Sequence, residues 1–151
     1  MAQAGPLTRP ELVFSDLPVT DCQGVLRTLA ERVAATGLVG DAEAVYRALQ
    51  ERERLGSTGI GHGVAIPHCK LKGLERGILA VGIPRRPVDF GAADGEPVAL
   101  FFLVLSPETS PAEHLQTLAR ISRWVRADRH VETLLGLSDP AAIHDYLRES
   151  A

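Results

Sequence analysis

Gly56-Ser-Thr-Gly-Ile-Gly-His-Gly63 runs without a break into Val64-Ala-Ile-Pro-His68, and the texture of the chain changes there. Upstream, the apolar residues fall at helical spacing. Cys22, Val25, Leu26, Leu29 and Val33 line one face of a helix between Thr20 and Thr36, which Thr20 or Asp21 can cap and Gly37 follows. Asp41 caps a second helix with Ala42, Val45, Ala48 and Leu49 as its stripe; Arg52 and Arg54 suit its C-terminal end, and Gly56 stops it. Downstream, Val64 to His68 reads as a short strand. Ile78 to Ile83 and Val98 to Leu105 are continuous apolar runs, as in strands buried on both faces. Between those runs, Arg85 to Phe90 and Gly91 to Glu96 supply an edge strand and a turn. Pro111 opens a long helix with Leu115, Leu118, Ile121 and Val125 inward, and Ser138-Asp-Pro140 caps a last helix over Ala141 to Arg148. Helices, then strands, then helices make an α/β (α+β) fold: a mixed β-sheet flanked by helices. No repeat, low-complexity tract or linker divides the 151 residues, so residues 1–151 read as a single domain.

Closely spaced glycines let backbone N–H groups approach an anion, so the stretch can cradle phosphate; it can equally be a tight turn joining helix to strand. It is not a Walker A loop, because His62 and Gly63 stand where Lys and Ser/Thr are required. His68 follows Pro67, which removes a backbone donor and places the histidine where a strand ends or reaches a sheet edge. An imidazole there is a nucleophile at neutral pH, and its phosphorylated form holds a labile P–N bond suited to transfer. Taken singly, it can also be a surface histidine with no role. His114 lies one turn into the helix after Pro111, on the stripe of Leu118 and Ile121, and so faces the sheet, either satisfied there or orienting His68. Arg52 and Arg54 are a solvated basic turn or a guanidinium fork for phosphate.

Other chemistries fail on spacing. His68 and Cys69 are neighbours, so on a strand their side chains point to opposite faces and cannot form a nucleophile–base pair. His62, His68 and Cys69 lack the paired spacing of a zinc site, and no carboxylates cluster near the glycines as a glycosidase would need. No metal is predicted. His130 and His144 receive no role. A formal net charge of -3 argues against a nucleic-acid partner. The N-terminus, Met1 to Pro10, is no secretory signal, and no apolar stretch approaches the roughly 20 residues that span a bilayer, so no membrane insertion is expected. Two cysteines make no disulfide framework, which points to a cytoplasmic protein with reduced thiols.

The run from Arg52 to His68 resembles the active-site signature of enzyme IIA domains of the fructose/mannitol/nitrogen type, in the bacterial phosphoenolpyruvate-dependent phosphotransferase system. Pro87-Val-Asp-Phe with Asp94-Gly-Glu-Pro-Val98, and His114-Leu-Gln-Thr-Leu-Ala-Arg-Ile-Ser122, are similar to its later segments. The resemblance implies the mannitol/fructose-like IIA sandwich and a phosphotransferase component without cofactor. His68 would be the phosphoacceptor, His114 the supporting histidine and Arg52 the phosphate-stabilising arginine, with Ser57, Thr58 and Gly59 binding phosphate. The implied donor is HPr or a nitrogen-branch HPr-like protein; the implied recipients are a IIB domain or regulatory target proteins. With no fused IIB or permease before Ala151, a stand-alone nitrogen-type regulator is expected. The alternatives are a detached fructose- or mannitol-class IIA that feeds a IIB domain for sugar uptake, and a non-catalytic binding module with the same fold, against which the presence of His68, His114 and Arg52 together argues. Cys69 stands where the family commonly has Gly, and is expected to alter the docking rim or fill a surface position. Ile60, Val64 and Ile66 are candidates for the donor's contact surface, or core.

Overall fold

Eight consecutive buried residues, Leu100–Pro107, form the central strand of the sheet. The computed structural model describes residues 6–127 and 129–151; the N-terminal reading therefore falls partly outside the described residues, on positions 1–5. After a 3-10 turn at Pro10–Leu12 come β1 (Val13–Leu17), α1 (Cys22–Ala35), α2 (Ala42–Arg54), β2 (Gly59–Gly61), β3 (Val64–Ala65), β4 (His68–Leu71), β5 (Ile78–Pro84), β6 (Leu100–Pro107), α3 (Pro111–Arg126), α4 (His130–Leu135) and α5 (Pro140–Ser150). The sheet runs β1-β5-β6-β3-β2, with β4 also on β6. β5 and β6 are antiparallel, whereas β1 on β5 and β3 and β4 on β6 are parallel. No helix of the described residues is long and apolar enough to cross a membrane.

Because side chains alternate along a strand, β6 builds two cores at once. Phe101, Leu103 and Leu105 pack with Val25, Leu29 and Val33 of α1 and Val45 and Leu49 of α2. Leu100, Phe102 and Val104 pack with Ile121 and Trp124 of α3, Leu134 of α4 and Ile143 of α5. The result is three layers, helix–sheet–helix. Two of the predicted caps form: the Asp21 and Asp41 carboxylates accept from Gly24 N at 2.7 Å and Glu43 N at 3.0 Å. Asp139 stands at the N-cap of α5 with Pro140 behind it but makes no side-chain capping bond.

Several expectations are corrected. A first strand, β1, precedes the helices; its Ser15 and Asp16 hide it from a search for apolar runs. Arg85 to Phe90 is not an edge strand: Pro87 interrupts it, and only Val88 and Val98 pair, as an isolated bridge. Val64 to His68 is not one strand but a ladder broken at Ile66-Pro67 that resumes in the same register. Val64 pairs Leu100, and His68 pairs Val104. It does not end at His68 but continues to Leu71. Leu115 is 66% exposed rather than inward; the buried line of α3 runs through His114, Ile121 and Val125, and Leu115 stands a third of a turn aside. The glycine-rich stretch is divided. Gly61, His62 and Gly63 all have positive φ (87°, 60° and 75°) and turn the β2–β3 hairpin. Gly63 O accepts from Ala99 N and Leu100 N, four β6 residues away from the level of His68.

Candidate active site

His68 begins β4 on the face shared with α3. Its neighbour Cys69 points the other way into the α1/α2 core, which corrects the expectation of a surface thiol. Burial pushes the Cys69 thiol up to about 12, so it is protonated and unreactive at neutral pH. Val64 and Ile66 are likewise core residues of the α3 face, leaving Ile60 as the exposed member of that trio.

The ring of His68 is held at both nitrogens. Nδ1 lies 2.6 Å from Ile66 O. A carbonyl only accepts, so the proton sits on Nδ1, and Nε2 presents its lone pair. The Nε–H of Arg52 donates to that lone pair at 3.2 Å. Burial, then the Arg52 charge, lower the His68 pKa against the opposing pull of the Ile66 bond. The imidazole is therefore neutral near pH 7, with Nε2 aimed at a guanidinium. The local chain explains this placement. Pro67 O accepts from Val104 N (3.0 Å), so the alternating carbonyl of Ile66 turns outward from β6, within reach of the ring two residues on.

His114 enters from α3, buried to 5% exposure, with its ring centroid 5.3 Å from that of His68 at a 54° tilt. Its Nδ1 lies 2.6 Å from the hydroxyl of Ser106 on β6. Burial chiefly, and then His68 and Lys70, lower its pKa to about 4. Two neutral imidazoles thus lie side by side.

Arg52 comes from the other helical layer, on the last turn of α2, where α2 packs beside β4. Its Nη1 donates to Gly56 O at 2.9 Å, which anchors the side chain to the loop it precedes. Glu53 ties that loop down: its carboxylate accepts from Thr58 N and Thr58 Oγ1, both at 2.8 Å. Ser57 Oγ donates to Phe90 O and accepts from Gly59 N. The structure therefore brings His68, His114 and Arg52 together. It gives the Ser57 hydroxyl, the Thr58 amide and hydroxyl and the Gly59 amide to protein partners, with Thr58 buried. Arg54 turns away to Glu51, an exposed pair. His130 Nδ1 meets Tyr146 OH at 2.8 Å and its ring stacks on Trp124 in the α3–α5 layer. Among the described residues no three His, Cys, Asp or Glu side chains could hold a metal ion.

Three participants escape sequence reasoning: the Ile66 carbonyl, Glu53 and Ser106. Only Ser106 left a signal. It is a hydroxyl directly after the apolar run, and its parity matches Phe102 and Val104.

Known proteins resemble this chain in sequence and fold. The family model described as the phosphoenolpyruvate-dependent sugar phosphotransferase system, EIIA 2, matches residues 6–150. A nitrogen regulatory protein of Bradyrhizobium diazoefficiens is 42% identical over 142 residues, covering 93% of this chain and 92% of its own length. The fructose-specific EIIA component of the phosphotransferase system of Haloferax volcanii is 32% identical over 143 residues, covering 95% and 93%. The crystal structure of the nitrogen regulatory protein IIA-Ntr from Neisseria meningitidis superposes with a TM-score of 0.86 at 30% identity, covering 92% of this chain and 94% of that one.

Proposed function

We propose that this chain, which belongs to the phosphotransferase-system EIIA 2 family, is a single-domain cytoplasmic phosphoryl carrier that accepts its phosphoryl group on Nε2 of His68. The observation that carries this reading is the ring's anchorage. With Nδ1–H committed to Ile66 O, the imidazole's lone pair is at Nε2, where the Arg52 Nε–H meets it.

In the step proposed, the Nε2 lone pair attacks phosphorus while the bond between phosphorus and the donor's leaving atom breaks, its electron pair departing with the donor. The proton stays on Nδ1, where Ile66 O stabilises the positive charge that develops on the ring. Arg52 exchanges its contact with Nε2 for the phosphoryl oxygens, and His114 supports them from the opposite side. A loose transition state asks for alignment and charge compensation rather than covalent help, and this site offers those. The donor proposed is HPr or a nitrogen-branch HPr-like protein.

A regulatory role of the nitrogen type is favoured by the relatives: at nearly equal coverage, identity is 42% to the nitrogen regulatory protein and 32% to the fructose-specific component. The fructose similarity keeps a second reading, in which the phosphoryl group passes to a IIB domain. The test is incubation of the full chain with phosphoenolpyruvate, enzyme I and either carrier. Acid-labile, base-stable phosphate that is absent in His68→Ala is expected. A folded protein that no carrier labels would refute the proposal, and onward transfer to a IIB domain would favour the second reading.

A further inference from the structure

We propose that Ser106 is a positioning residue that fixes the proton of His114 on Nε2, so that of the two adjacent imidazoles His68 offers a lone pair and His114 offers only an N–H. The role given to this pair rests on the reading of His68 as phosphoryl acceptor.

Ser106 is the only hydroxyl in the otherwise apolar β6, and it is 5% exposed. Alternation sets it on the α3 face, opposite Lys70 in the parallel ladder. Its hydroxyl has one hydrogen-bond partner among the described residues, His114 Nδ1 at 2.6 Å. Two arrangements satisfy that distance. If Nδ1–H donates, the serine's own proton is left to the adjoining cleft lined by Ser110, Glu113 and Arg76. If the hydroxyl donates, its proton and the Nδ1 lone pair are satisfied together, and the neutral ring must hold its proton on Nε2. Buried polar groups pair within the fold where they can, and the second arrangement, which uses the serine proton and the Nδ1 lone pair on each other and leaves only the Nε2–H for a ligand, is the one this rule selects.

The consequence is selectivity between neighbours whose centroids lie 5.3 Å apart. A second bare nitrogen would compete for the phosphoryl group and would set its lone pair against the phosphoryl oxygens. With Ser106 on Nδ1, His114 has no lone pair to offer and can donate to one of those oxygens. The two rings reach opposite tautomers by opposite partners: an acceptor (Ile66 O) for His68 and a donor (Ser106 Oγ–H) for His114.

The test is 15N NMR of the imidazoles in the full chain, which distinguishes a protonated ring nitrogen from a bare one. The expected pattern is protonation at Nε2 in His114 and at Nδ1 in His68. In Ser106→Ala, His114 should lose its single tautomer, and Ser106→Thr should restore it. Phosphoryl transfer in Ser106→Ala should slow on the order of 10- to 100-fold in kcat, with KM for the donor unchanged. Protonation of His114 at Nδ1 in the wild type, or an unaltered tautomer in Ser106→Ala, overturns the proposal. The wild-type spectrum distinguishes the two tautomers even should Ser106→Ala fail to fold. The spectra also need no phosphoryl transfer, so a failure of labelling would remove the carrier reading and leave the tautomer result to stand or fall alone.

Discussion

Acid should destabilise this fold through His114, and the size of the effect follows from its burial. The ring is neutral in the folded protein down to a pKa of about 4, because protonation would strand a charge beside the apolar core, His68 and Lys70. In the unfolded chain the ordinary value is about 6.5. Between these values the unfolded state binds the proton first, so stability falls as pH falls through the window, and the loss is complete below about 4. The full difference is at most about 3 kcal/mol, and about 2 kcal/mol of it is gone by pH 5. His68, whose pKa is also lowered by burial, contributes with the same sign. The assay is denaturant unfolding at a series of pH values from 7.5 to 4.5, on the wild type and His114→Gln, whose amide can still meet Ser106. Carboxylates common to both proteins cancel in the comparison. The variant should lose markedly less stability than the wild type over this range. Parallel profiles would refute the claim that His114 is held neutral by its surroundings.

Arg52→Ala should slow phosphorylation of His68 on the order of 100-fold, the scale of losing one preorganised donor at a transferring group; its thermal midpoint should hardly move, and an unchanged rate would make the arginine bystander charge. Thr58→Val should cost about 1–3 kcal/mol, since Glu53 loses its hydroxyl partner in a buried setting, while Thr58→Ser should recover most of it in the same denaturation assay. Phe102→Ala, which empties the side chain packed edge-on against Trp124, should cost about 3–5 kcal/mol; a loss below about 1 kcal/mol, small for a buried ring, would show that the α3 layer contributes little.

What is legible in the sequence is what local physics determines. Asp21 and Asp41 mark helix starts because a carboxylate satisfies orphan N–H groups wherever they occur, and both caps form. The runs 78–83 and 98–105 announce strands covered on both faces. The family and its layered sheet are legible from one long signature. What escapes depends on partners distant in the chain. β1 has too few apolar residues to read as a strand until β5 is beside it. Ser57 and Thr58 look like free donors because nothing in the local pattern shows that Phe90 and Glu53 take up their hydroxyl and amide, and Gly59 N is then taken by the Ser57 hydroxyl so fixed. Leu115 looks inward because it shares spacing with Leu118, and only the sheet's position selects the line through His114 instead. Ser106 can be placed on a face by parity, but its partner is known only once α3 packs.

The edge of the sheet connects these details. Past Ile66, whose N–H donates to Thr58 O just ahead of β2, the outer side of the 64–71 ladder has no strand partner among the described residues. An open edge is ordinarily a hazard for aggregation. Here it is covered by α2, and the cover serves the chemistry. Because no strand claims it, Ile66 O is free to hold His68 Nδ1–H. Because α2 lies along β4, Arg52 can reach from the opposite helical layer to Nε2. A strand paired at this edge would engage the Ile66 carbonyl and displace the arginine, leaving the imidazole free to rotate and to change tautomer. Pro67 itself faces β6: Val104 N donates to its carbonyl, and with no N–H of its own it interrupts the ladder at this residue, which leaves Ile66 outside regular strand pairing. The nucleophile therefore depends on an unpaired edge, a helix end and a proline together.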